Sequence, residues 1–121
     1  MCLTIVKEQY DQPLKDRRIG YKVYKKILNL YHSEFKRTSP LNLGNTVIDD
    51  NEYPIQTPCG EYKSGFHIFT TLEDAKYWAY VGRLMIVKVK YTNIVVTGTQ
   101  LYGATPLQVD VARKLTLIEE C

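Results

Sequence analysis

The clearest pattern of apolar and polar positions runs from residue 65 to residue 91. Phe66 and Ile68 alternate with His67 and Phe69, and that period of two predicts a strand over residues 65–69. Thr70 or Thr71 then offers an N-cap hydroxyl. Glu73 or Asp74, three residues further on, would complete a capping box and sit well against the positive end of a helix dipole. Leu72, Ala75 and Ala79 fall on one helical face with Trp78 beside it, and Gly82 supplies a stop. The spacing predicts a helix over about residues 71–81, whose small alanines would let it lie close on a sheet. Residues 84–91 return to alternation, with Met85, Val87, Val89 and Tyr91 on one side. The other side begins apolar at Leu84 and Ile86 and turns basic at Lys88 and Lys90.

The rest of the chain predicts a sheet around this unit. Residues 2–6 read as a short opening strand. The polar residues 7–18, with Pro13 among them, read as an exposed connector. Residues 19–26 alternate, with Ile19, Tyr21 and Val23 opposite Lys22, Tyr24 and Lys26. Residues 27–33 fit either a hairpin partner to that strand or a helical turn pairing Leu28 with Tyr31. A loop over 34–46 and a short strand over 46–49 come next. The irregular residues 50–64, holding Pro54, Pro58 and Gly60, are either a lid over a site or an ordinary surface excursion. Thr92-Asn93 predicts a turn into a strand over 94–97 that Gly98 breaks. Residues 107–111 and 114–118 are two strands, or one strand bent at Ala112-Arg113. The expected fold is a single α+β domain over residues 1–121. It has a small, twisted, mainly antiparallel sheet of about six or seven short strands and one principal helix.

Composition changes this picture little. The 121-residue length suits one domain with a real core. Tyrosine is abundant, at ten positions against three Phe and one Trp, and suits half-buried strands or ligand-facing surfaces. A net charge of +3 permits an anionic ligand. No run of basic residues is longer than a pair such as Arg17-Arg18, Lys25-Lys26 or Lys36-Arg37, which argues against nucleic acid. Cys2, Cys59 and Cys121 show no CxxC spacing, so neither a metal site nor a disulfide framework is expected. No cofactor is implied by these residues. The sequence shows neither a signal-peptide pattern nor an apolar run of membrane-spanning length, so the expected setting is reducing and cytoplasmic.

Cys2, His67, His32 and Glu119 are the candidates for catalysis. Removal of Met1 would leave Cys2 with a thiol and an α-amino group that can act as its base. A neighbouring His67 or His32 would lower the thiol pKa; otherwise Cys2 is a small apolar residue opening a strand. His67 is either a hydrogen-bonded histidine at the edge of the core or an acid, base or ligand donor. Glu119 and Glu120 close the last strand, where a glutamate could orient a ribose. Tyr21, Lys22, Tyr24 and Lys26 on one strand and Lys88 and Lys90 on another are the candidate ligand-binding residues. Were those strands neighbours, they would form an aromatic, basic surface for a phosphate-bearing molecule. Otherwise the lysines are simply the solvated face of a sheet.

Two resemblances accompany these readings. Gly65-Phe66-His67-Ile68-Phe69-Thr70, followed by Ala75, Trp78 and Ala79, resembles the strand and helix that flank the NAD pocket of ADP-ribosyltransferase-like folds. Leu30-Tyr31-His32-Ser33 is similar to the Leu-Tyr-His-Gly motif of that family. This resemblance implies His32 as a ribose ligand, His67 at the aromatic stacking position and Glu119 or Glu120 as the acid. Ser33 and His67 stand where the family has glycine and tyrosine. Met1-Cys2-Leu3-Thr4-Ile5, with Gly20-Tyr21-Lys22-Val23 and Gly65-Phe66-His67, resembles small accessory proteins of bacteriophages and large DNA viruses. That second resemblance implies action on host physiology, with nucleotide-based immune signals among the targets.

The leading expectation is a module binding an anionic nucleotide-like molecule, such as an ADP-ribose derivative, or a host protein. A divergent ADP-ribosyltransferase, a Cys2-dependent hydrolase or transferase, and a homo-oligomeric accessory protein are the alternatives.

Overall fold

The computed structural model describes residues 3–33, 40–51, 53–57, 60–82 and 84–121. The alternating segments become strands β1 (Ile5–Leu14), β2 (Arg18–Ile27), β3 (Leu30–Ser33), β4 (Thr46–Ile48), β5 (Ile55–Thr57), β6 (Gly60–Tyr62) and β7 (Phe66–Phe69). Helix α1 (Leu72–Gly82) and the long strands β8 (Met85–Tyr102) and β9 (Thr105–Glu120) follow. The described residues are mostly β, with 66% in strands and 9% helical, which corrects the expected α+β class of short strands. The helix lies where the capping signals put it. Thr71 is the cap: its Oγ1 accepts from the Asp74 amide at 3.2 Å. The Asp74 carboxylate accepts instead from the Gln108 amide at 2.9 Å, tying α1 to β9.

Two corrections account for the extra strand. The polar residues 7–18, read as a connector, mostly form β1, which pairs antiparallel with the second half of β8. Its residues are largely exposed, so the core-facing alternation that marks a strand is missing. The expected turn at Thr92-Asn93 and break at Gly98 are also absent. Asn93 takes a left-handed φ of 61° within an 18-residue strand, just before a bulge between Ile94 and Val96. At Gly98 a Cβ would run into the Ile5 carbonyl oxygen; glycine lets β1 approach there. The last segment is a single strand, Thr105–Glu120, continuous through Ala112-Arg113. Residues 27–33 are the hairpin, with Leu28 and Asn29 at φ 51° and 64° in a two-residue loop. Within residues 50–64 the described part holds the β5–β6 hairpin, and Tyr62 and Ser64 are buried.

The antiparallel pairings β8–β2, β2–β7, β7–β9 and β9–β8 form a closed circuit, so the sheet curls into a small barrel. Its interior holds Tyr24, Phe66, Ile68, Val87, Val89, Tyr91, Leu115 and Leu117. Outside, Ala75 and Ala79 of α1 pack with Val23, Phe69, Val109 and Val111 into a second core layer. The outer surface of β4, β9 and the first half of β8 carries the site.

Candidate functional site

Strand alternation decides which side chains reach this outer surface. Arg18 pairs with Tyr91 and turns inward, where its Nη1 donates to the buried Asp110 at 3.1 Å. Tyr91 Oη donates to the same carboxylate oxygen at 2.7 Å. Burial, then the bond to Asp110, pushes the Tyr91 phenol well above its ordinary value of 10. With Arg18 directed inward, the preceding Arg17 is left to the other side. The turn that carries it is fastened to the bulge of β8. Thr92 Oγ1 donates to the Lys15 carbonyl at 3.1 Å, and Lys15 Nζ donates to Asn93 Oδ1 at 3.1 Å.

Arg17 lines a cleft of about 350 Å³ together with Lys90, Thr92, Lys114, Thr116 and Thr46. Register arranges these residues as a chequerboard. Lys90 faces Thr116 across the β8–β9 ladder and Thr92 faces Lys114, so the two lysines are diagonal neighbours. Direct opposition of like charges is thereby avoided, while both ammonium groups can reach one anion between them. Thr46 extends the first row from β4, its Oγ1 lying 2.7 Å from Thr116 Oγ1. Among the described residues the lining contains no carboxylate. Three other cations of the sheet have carboxylate partners: Lys88 in Glu119 at 3.8 Å, Lys26 in Glu120 at 3.1 Å, and Arg18 in Asp16 and Asp110.

Of the ligand-binding candidates, this cleft takes Lys90. Strands β2 and β8 are neighbours, but Lys22 and Tyr24 pair with Val87 and Met85, whereas Lys88 pairs with Tyr21. The two basic rows therefore occupy opposite faces of the sheet and do not form one surface. Lys22 is buried and donates to the His67 carbonyl at 3.2 Å, and Tyr24 is buried in the barrel. Tyr21 packs against the outer core layer, and Lys26 is held by Glu120. Arg17 and Lys114 were missed by reasoning from sequence alone. A chequerboard exists only across two strands whose register is known; the local signal was no more than two short basic pairs, Arg17-Arg18 and Arg113-Lys114.

The catalytic candidates occupy separate places. His67 is buried on the outer side of β7, its Nε2 2.7 Å from Tyr62 Oη, which also accepts from the Leu3 amide at 3.0 Å. His32 is half-buried on β3 opposite Lys25. Glu119 is exposed beside Lys88 on the outer face. Cys2 lies outside the described residues. Among the described residues no group of His, Cys, Asp and Glu is placed to hold a metal ion, and no helix is long and apolar enough to cross a membrane. An open apolar surface of Tyr77, Tyr80 and Tyr102, flanked by Glu73 and Lys76, lies on α1 and the tip of the β8–β9 hairpin.

No family model matches the chain, and no curated protein or solved structure was found to be similar to it.

Proposed function

We propose that this protein is a binding module for a small phosphate-bearing, nucleotide-like anion, seated between Arg17, Lys90 and Lys114. One observation carries the reading: three cations with no carboxylate partner among the described residues converge on one cleft, whose described lining holds no acid. Ammonium and guanidinium groups form charge-assisted hydrogen bonds with phosphate oxygens, and the threonine hydroxyls add shorter-range contacts. A volume of about 350 Å³ falls within the range of small-ligand sites. The compensation of Lys88 and Lys26 by Glu119 and Glu120 confines the positive surface. That pattern favours a compact anion over a nucleic-acid strand, which would need a stripe. The resemblance to phage and large-DNA-virus proteins supplies a context for this reading, sequestration of a nucleotide-based host signal.

Isothermal titration of AMP, ADP-ribose and inorganic phosphate into the protein at low salt tests it. Binding should weaken as ionic strength rises. Lys90→Ala and Lys114→Ala should each lose about tenfold in affinity, since a charge-assisted hydrogen bond contributes about 1.5 kcal/mol or more. The reading is abandoned if none of the three anions binds, or if the double variant binds them as well as the natural protein does. Turnover of NAD that depends on His32 and Glu119 would instead favour the transferase alternative.

A further inference from the structure

We infer, resting on the anion-binding reading, that the cleft selects a dianionic phosphate monoester over a monoanionic diester. The argument is an inventory of donors and acceptors. Arg17, Lys90 and Lys114 can only donate. The Thr92 hydroxyl proton is spent on the Lys15 carbonyl, 3.1 Å away. Thr46 and Thr116 share one hydrogen bond of 2.7 Å, which uses one of their two hydroxyl protons and leaves the other to donate. The cleft therefore offers a surplus of N–H and O–H donors and few acceptors.

A phosphate monoester at neutral pH matches that surplus. It carries close to two negative charges and three terminal oxygens, all acceptors. Esterifying a second oxygen removes one charge and one terminal oxygen. A carboxylate likewise has one charge and two oxygens. The organic part of the ligand has apolar flanks to rest on. Ile19 lies in the row of Lys90 and Thr116, and Ile48 in the row of Lys114 and Thr92. Both are exposed, at 48% and 65%. Outward-facing isoleucines at the two ends of a polar grid suit a ligand with an apolar or planar body attached to its phosphate.

The test compares AMP, 3′,5′-cyclic AMP, adenosine and inorganic phosphate by titration calorimetry at fixed pH and salt. AMP shares its base and sugar with cyclic AMP and differs in the phosphate charge and terminal oxygens. The expected result is AMP at least about tenfold tighter than cyclic AMP, with adenosine not bound. Lys90→Ala/Lys114→Ala should reduce AMP to the level of cyclic AMP while its circular dichroism spectrum stays that of the natural protein. Equal affinity for AMP and cyclic AMP, or binding of inorganic phosphate alone, overturns monoester selection and leaves the anion-binding reading standing. Binding of none of them overturns both.

Discussion

Asp110 brings a carboxylate into the barrel interior, where an unpaired charge would be costly. Tyr91 and Arg18 both donate to its Oδ2, one from inside and one from the barrel's edge. Replacing Asp110 with alanine leaves a buried phenol without its acceptor and should cost about 1–3 kcal/mol, read from the urea midpoint. The same substitution leaves Arg18 held by the exposed Asp16 alone, beside the turn that presents Arg17, so affinity for a phosphate probe should fall as well. The buried phenols set an alkaline limit. Burial raises the pKa of Tyr24 and Tyr91 above the ordinary value of 10, with the bond to Asp110 adding to the shift at Tyr91. Above pH 10 the unfolded chain has released those protons while the folded chain retains them. Stability should therefore be full below about pH 10 and decline as pH rises beyond it. Denaturant midpoints at pH 9 and pH 11 check the sign. At this scale sequence was informative about residue type and silent about direction: Arg17 and Arg18 are identical neighbours, and alternation sends one to Asp110 and the other to the cleft.

Strand β8 shows how an element can carry signals that read as its own interruption. Asn93 and Gly98 are turn formers, yet both sit inside the longest strand. A left-handed residue beside a bulge and a close backbone approach call on the same conformational permissiveness as a turn, so their local signatures coincide. Gly98→Ala should destabilise the protein by about 1–3 kcal/mol, because the added methyl meets the Ile5 carbonyl oxygen and the β1–β8 ladder must shift. Differential scanning calorimetry would read this as a lowered Tm. The helix was legible for the opposite reason. Its cap at Thr71, its alanine face and its stop at Gly82 are all local features. Strand β1 was not legible, since few of its side chains reach the core and no apolar alternation survives to betray it.

At the scale of the whole molecule the barrel is closed by contacts between distant parts of the chain. Strand β2 pairs with β8, and β7 with β9. Such non-local pairings must pay loop-closure entropy before they are rewarded. Refolding should accordingly take milliseconds to seconds, as stopped-flow Trp78 fluorescence would measure, rather than the microseconds of a helical bundle. Closure also assembles the cleft. Its lining comes from the turn before β2 and from β4, β8 and β9, segments separated by tens of residues. By itself the sequence determined the strand–helix–strand unit of residues 65–91 and the period-two alternation of residues 19–26. These depend on interactions within a few residues, which composition and spacing encode directly. Tertiary structure alone decided that the sheet closes, that Lys22 and Tyr24 point inward while Lys88 and Lys90 point outward, and that Arg17 and Lys114 join Lys90. Those outcomes depend on register between strands, where a shift of one residue exchanges the two faces and would dismantle the cleft.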